Sequence, residues 1–316
     1  MSSIRHWFLM VLPFALWGTA MTAMAPLVHS GGPVLVAFLR LIPAGATLLI
    51  AVGLTGRSWK IAPIDLGWFS LFTLVDATIF QTCLAKGLSE TGAGLGSVLI
   101  DSQPLMVALL ARSLFGEAIN PIGWVGLMLG LVGIVFLGSP PDLLSHWWLM
   151  GKEVSVGSFW DSGEGWMLLA AISMAFGTVL SRYACQKSDP IAVTGWHMLI
   201  GGGPLLAWHF VDQSWPLIPQ WSGFDWISMA YASFLGSAVA YGLFFWFANN
   251  EELTGFTTLA FLTPVFALAT GGLWLDERLL PLQWIGVVFV LFSVLLVSQR
   301  RRIWEPHEFE PKLIKK

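Results

Sequence analysis

Pro121-Ile122-Gly123-Trp124-Val125-Gly126 recurs as Pro281-Leu282-Gln283-Trp284-Ile285-Gly286, an offset of 160 residues. The spacing extends upstream. Pro104 and Glu117 before the first copy match Pro264 and Glu277 before the second at the same 160-residue offset. Further back, Trp17-Gly18-Thr19 matches Phe176-Gly177-Thr178, offset by 159. The chain is therefore read as two copies of one unit. Each unit contains five apolar stretches, and an odd number of membrane crossings inserts the second copy upside down. Inverted repeats of this kind build transporters that open alternately to the two sides of a membrane.

Composition agrees with a membrane setting. The 316 residues are 56 % hydrophobic and 11 % charged, against about 25 % charged in a soluble domain. A bilayer is spanned by roughly 20 apolar residues, and ten stretches qualify: 7–28, 34–54, 65–85, 91–111, 121–138, 164–184, 190–210, 224–247, 253–274 and 281–298. The expected fold is an all-α integral membrane protein with ten transmembrane helices in two inverted five-helix repeats. The first repeat spans 1–138, an extracytoplasmic connecting loop 139–163, the second repeat 164–299, and a basic cytoplasmic tail 300–316. Arg5 followed by an apolar run and Ala23-Met24-Ala25 mimics a signal peptide. Pro26 at the position after the would-be cleavage site, and the internal match of Gly18-Thr19, favour an uncleaved first helix.

Lys and Arg accumulate in cytoplasmic loops. With the N-terminus inside, 12 of the 16 fall in inside segments, three outside (Lys86, Lys152, Arg278), and Arg40 within a span. The expectation is a multi-pass protein of the cell (inner) membrane with both termini cytoplasmic. Trp7, Trp68, Trp124, Trp166, Trp226 and Trp284 sit near predicted helix ends, as an aromatic belt requires, whereas Trp17 and Trp196 lie deeper. A net charge of −3 offers no basic surface for nucleic acid. Cys83 and Cys185 fall in apolar segments and read as core residues, not a disulfide.

Ionisable side chains at bilayer depth cost about 2.5–3.5 kcal/mol each to insert and mark functional sites. Four are placed there: Arg40, Asp76, Asp101 and His197. In the functional reading they face one cavity. Arg40 pairs with one aspartate or binds an anionic substrate group, and an unpaired aspartate exchanges a proton. The bland alternative is a buried ion pair that only fixes helix positions. Ser97, Asp101 and Pro104 share a helical face, with Ser102 and Gln103 beside them; Trp17 and Tyr241 join the list of substrate or proton-binding candidates. Pro104 and Pro264 are repeat-related helix-break or gating candidates, since a proline at this depth removes a backbone hydrogen bond. Gln81, Asn249, Asn250 and Thr263 are further polar groups of this kind. Gly92-x3-Gly96 and Gly126-x3-Gly130 permit close helix approach. Glu117 and Glu277, each just before a predicted helix, read as carboxylates stabilising a helix start. The six histidines show no metal-binding spacing, and neither a Walker loop nor a nucleophile elbow occurs. No metal, cofactor or catalytic residue is expected.

The doubled Trp17-Gly18-Thr19, Pro104…Phe115-Gly116-Glu117 and Pro121-x2-Trp124-x-Gly126, with partners Pro264…Leu275-Asp276-Glu277 and Trp284-x-Gly286, resemble the EamA family of the drug/metabolite transporter superfamily. The stretch Gly94-x-Gly96-Ser97…Asp101-Ser102-Gln103-Pro104 is similar to a branch found in cyanobacteria and plastids. The resemblance implies ten helices, cytoplasmic termini and alternating access to a central cavity. The expected function is secondary transport of a small polar or zwitterionic metabolite, with proton coupling through an aspartate. The expected partners are that substrate and the lipid bilayer, the protein itself being a monomer or homodimer. A channel or scaffold, or a membrane-embedded lipid-modifying enzyme, are the rival classes.

Overall fold

A computed structural model describes residues 3–91, 99–138, 163–211, 220–274 and 281–304. Among these the chain is helical, with no strand. In order the helices are α1 (Ser3–Gly31), α2 (Pro33–Leu54), α3 (Leu66–Phe72), α4 (Phe80–Thr91), α5 (Gln103–Phe115), α6 (Pro121–Gly138), α7 (Gly163–Ala184), α8 (Pro190–Val211), α9 (Gly223–Ser233), α10 (Ala240–Asn250), α11 (Leu253–Thr257), α12 (Thr263–Trp274) and α13 (Pro281–Trp304). Two π-helical segments, Thr73–Ile79 and Phe234–Val239, join α3 to α4 and α9 to α10. Seven described stretches are long and apolar enough to cross a membrane, and two shorter apolar helices, Gln103–Phe115 and Pro121–Leu137, stand beside them.

Local chemistry sets the boundaries. Pro33 starts α2 after Gly32, whose φ of 88° is open to glycine. The Asp189 carboxylate accepts from Ile191 N at 2.9 Å and Ala192 N at 3.2 Å, capping α8. Ser222 and Asp225 form a reciprocal capping box at the start of α9. Gly116, at φ 66°, ends α5 in the left-handed conformation.

Polar contacts sort the connections into two ends of the bundle. At one end, His6 meets Glu251 at 3.1 Å and Arg57 meets Asp189 at 2.9 Å. Also there, Asp65 accepts from Lys187 N and Ser188 Oγ, and Asn120 donates to Arg300 O at 2.8 Å. At the other end, Trp221 donates to Ser30 at 3.0 Å, Lys86 lies 4.6 Å from the Trp166 ring, and Gln283 donates to Leu137 O at 3.2 Å. The helices thus run alternately up and down. The first group collects Ser3 at the start of α1 and the last turns of α13, and is called the terminal end below; the second is the far end.

Small residues let helices approach. A Cβ on Gly286 would lie 2.7 Å from Gly133 O, so α6 and α13 touch backbone to backbone. Gly126 and Gly130, singled out in the sequence, face Val297 and Phe261 in the same packing zone; Gly92 and Gly96 lie outside the described residues. The core around these contacts is aromatic, with Phe14, Phe72, Phe244, Phe245, Phe247, Phe256 and Phe261 fully buried.

The two candidate break prolines sit alike in the fold. Leu99-Ile100 is helical, Asp101-Ser102 forms a turn, and α5 starts at Gln103, leaving Pro104 in its first turn. Pro264 occupies the matching place in α12, which begins at Thr263 after a 3-10 stretch, Thr258–Leu262. A proline has no N–H to lose in a first turn, so each one starts a helix beyond a break.

Candidate functional site

The site is built on the two π segments. A π turn widens the helix by one residue, and such turns recur at functional places. The first carries Asp76 and the second Ser237. Thr73 opens the first distorted stretch, and its repeat equivalent Ser233 immediately precedes the second. Each segment is held by a side chain from a helix of the other half of the chain. His197 on α8 places Nε2 2.9 Å from Asp76 Oδ2, both residues being 1 % exposed. Arg40 on α2 donates through Nε to Ser237 Oγ at 3.2 Å. Between them, Gln81 donates to the Tyr241 hydroxyl at 3.3 Å. These two residues are themselves 160 apart.

The histidine geometry fixes the proton content of its pair. Nδ1 lies 3.2 Å from the Thr194 carbonyl, which can only accept, so Nδ1 carries a hydrogen. The Nε2–Oδ2 contact then needs one further proton, shared between imidazole and carboxylate. Phe72 stacks on the ring at 4.2 Å and Phe245 meets it edge-on, while the close approach of Asp76 to α7 requires Gly177: a Cβ there would fall 2.2 Å from Asp76 Oδ1. That oxygen, with Trp17 Nε1 and Thr73 Oγ1, is buried without a hydrogen-bond partner. Each unmatched group costs about 1–3 kcal/mol, which a purely structural ion pair gains nothing by keeping.

Arg40 is 7 % exposed, and among the described residues no carboxylate lies within 4.0 Å of its guanidinium. The sequence left open an Arg40–aspartate pair; Asp76 instead takes His197. Arg40 and Gln81 line a narrow crevice of about 30 Å³. Its other walls are apolar: Met21, Met24 and Val28 from α1, Pro33, Val36 and Ala37 from α2, Leu84 and Ala85 from α4. All of these lie toward the far end from Arg40. Trp17 packs on Tyr241 and Phe244 with ring centroids 5.0 and 4.9 Å apart.

The remaining candidates form a second polar group. Asp101, 8 % exposed, sits in the turn before α5 and has no hydrogen bond or ion pair among the described residues. Ser102 Oγ donates back to Leu99 O at 2.7 Å, and Gln103 Nε2 donates to Thr178 Oγ1 at 3.2 Å. Thr178 adjoins Gly177, so α7 connects this group to Asp76. Ser97 lies outside the described residues.

Sequence reasoning missed a third cluster, at the terminal end. Glu117 does not stabilise the start of α6, as its position suggested. Its carboxylate accepts from Leu253 N at 2.8 Å, Thr254 N at 3.0 Å and Thr254 Oγ1 at 2.8 Å, capping α11 from across the bundle. Arg182 stands 3.5 Å away and donates to Ala248 O at 2.7 Å and to Glu251 O; Arg300 pairs with Glu252 beside it. Glu277 lies outside the described residues. Ser237 was also missed. The repeat offset, which maps Ala77 onto it and Gln81 onto Tyr241, was the available signal.

Long apolar helices with buried ionisable groups facing one another define a multi-pass membrane protein. The EamA-like transporter family model matches residues 5–139 and again 161–299. The chain belongs to that family and is a membrane transporter. It is 47 % identical over 311 residues to an uncharacterized transporter of Synechocystis sp., covering 96 % of this chain and 92 % of that protein. It is 46 % identical over 302 residues to a chloroplastic WAT1-related protein of Arabidopsis thaliana, covering 93 % and 69 %. With the uncharacterized inner membrane transporter YedA of Escherichia coli it shares 25 % identity over 294 residues, covering 90 % and 88 %. A solved crystal structure of a protein superposes with a TM-score of 0.74 at 15 % identity, covering 93 % of this chain and 98 % of that one, and so shares the fold.

Proposed function

We propose that this chain is a secondary transporter moving a small polar or charged metabolite by alternating access, with a proton carried by the Asp76–His197 pair. It does so as two inverted units of five crossings, 1–138 and 164–299, with the terminal end cytoplasmic. The observation that carries the reading is the buried polar core shared by the two halves: His197 of one half holds Asp76 of the other, and Arg40 of one holds Ser237 of the other, on two repeat-related π segments. Ionisable groups at membrane depth on the interface of two repeats are where transporters of this kind bind substrate and coupling ion.

The residues divide the work. Arg40 supplies a fixed positive charge that Ser237 orients. Asp76 and His197 hold one exchangeable proton, and Phe72 and Phe245 keep water from it. Tyr241 and Gln81 bridge the two π segments, so movement at either charge is felt by the other. Breaks before α5 and α12 let the half-helices tilt without disrupting a hydrogen-bonded ladder. Purified protein in proteoliposomes tests the reading: saturable uptake of at least one labelled metabolite should respond to an imposed pH gradient. Absence of saturable flux across a broad panel of amino acids, organic acids, sugars and nucleosides would overturn it.

A further inference from the structure

We infer that a hollow at the terminal end is a binding site for a small organic cation carrying a primary ammonium group. The inference goes beyond the transport reading and stands without it, since the site lies apart from the Asp76–Arg40 core. The hollow measures about 520 Å³, within the size range of small-molecule sites. It is lined by Arg182 and Cys185 from the end of α7, Pro190 from the start of α8, and Asn249, Asn250 and Glu251 from the end of α10. The corresponding corner of the first half, between α1, α2 and α4, is a crevice of about 30 Å³ with mostly apolar walls. A gap imposed by the repeat would recur there, so width and polarity are particular to the terminal-end corner.

The lining groups left for a ligand are acceptors. Asn249 donates its amide to Phe245 O at 2.8 Å and to Ser181 Oγ at 3.3 Å, and Asn250 donates to Trp246 O at 2.6 Å. A carbonyl can only accept, so these contacts engage Nδ2 of both amides and leave Oδ1 as the group on offer. Glu251 meets His6 through Oε1 at 3.1 Å and keeps Oε2. Arg182 turns its donors to the protein: Nε to Ala248 O, Nη2 to Glu251 O and Nη1 toward Glu117. Three acceptor oxygens match the three N–H groups of a primary ammonium, which has no acceptor of its own. Charge agrees. Arg182 is matched by Glu117 and Arg57 by Asp189, and Lys187 adjoins Asp65, while Glu251 meets only an imidazole among the described residues. The C-termini of α7 and α10 bring the negative ends of two helix dipoles to the same place. Burial and the carboxylates of Asp65 and Asp189 push the Cys185 thiol up, in keeping with a negative potential at that wall.

The test uses the full chain purified in detergent, with labelled ethanolamine as probe. Saturable binding is expected. Trimethylated ethanolamine keeps the charge without N–H groups, ethylene glycol lacks the charge, and glycolate reverses it; each should compete at least tenfold more weakly than unlabelled ethanolamine. Removing an acceptor from a charged hydrogen bond costs a factor of about ten or more, so Glu251→Gln should weaken binding about tenfold and Asn250→Ala to a smaller degree, both eluting as folded monodisperse protein. A short-chain phosphatidylethanolamine in the same competition separates two sources of the ammonium. Stronger competition than ethanolamine assigns the site to a lipid headgroup, and weaker competition assigns it to a soluble amine. The absence of saturable ethanolamine binding would overturn the site, as would equal competition by the trimethylated compound or by ethylene glycol, or undiminished binding in a folded Glu251→Gln variant. The competition series on the unaltered chain decides the matter even where a variant fails to fold.

Discussion

Asp76 and His197 form a pair in which position and charge can be separated by substitution. Asp76→Asn keeps the shape and a hydrogen bond to Nε2 but removes the exchangeable proton. The expected result is that gradient-driven accumulation drops at least tenfold while exchange of substrate across the same liposomes persists. Loss of both activities together would make the pair structural. Asp101 behaves differently, because nothing described neutralises it. A carboxylate at this depth with no partner among the described residues costs a few kcal/mol, so Asp101→Asn should leave the detergent melting temperature unchanged or higher while lowering flux. A lower melting temperature would show that the carboxylate is a structural partner. Cys185, just past the end of α7, gives a third residue-scale prediction. Burial and the nearby Asp65 and Asp189 carboxylates push its thiol above the ordinary range. A raised value means little thiolate near neutral pH, so maleimide labelling there should be slow and should accelerate in alkali; Asp65→Asn should speed it.

At the scale of elements, the apolar lengths, the Lys and Arg placement and the prolines were legible before any coordinates. The ends of α2, α6, α7 and α8 follow from prolines, caps and glycines next to them in sequence, which is why those boundaries could be read. The π segments were not legible, since Thr73–Ile79 and Phe234–Val239 carry no residue that demands an extra backbone turn; tertiary contacts with His197 and Arg40 support them. The site was half legible. Buried charge is costly enough to stand out of a sequence, so Arg40, Asp76, Asp101 and His197 could be listed. Which carboxylate met which cation depended on helix rotation, and only the fold joined Asp76 to His197. Glu117 was read through its sequence neighbour Pro121, yet its carboxylate serves an α11 start 136 residues away. A local rule found the right chemistry and the wrong helix. The α11 cap also predicts an element-scale effect. Glu117→Gln retains acceptor capacity for one amide and should cost less thermal stability than Glu117→Ala, which loses a cap of about 1 kcal/mol.

In the proposed cycle the whole molecule has two arrangements, and the contacts at the terminal end hold it in one of them. Toward the far end from Arg40 lies a crevice of about 30 Å³, and a hollow of about 520 Å³ lies at the terminal end beside Arg182 and Glu251. The terminal end is fastened by Glu117 on Leu253 and Thr254, by Arg182 on the 248–251 backbone and by Arg300 on Glu252. These contacts join α5, α7 and α13 to the α10–α11 region, so they must be released together for the terminal end to open. Weakening them should shift the population without touching the Arg40 site. A loss of about 1 kcal/mol changes the ratio of the two states about fivefold. Two cysteine probes make the shift measurable in a Cys83→Ala, Cys185→Ala background. Ala37→Cys lines the crevice, and Ser181→Cys is buried beside Arg182. Adding Glu117→Ala should raise the labelling rate at position 181 and lower it at position 37, because one opening closes the other. A rise at 181 with no fall at 37 would mean local fraying at α11, and the two ends would then move independently. A rigid channel gives neither change. Reciprocal change of comparable size at both probes is the behaviour that alternating access demands of this bundle.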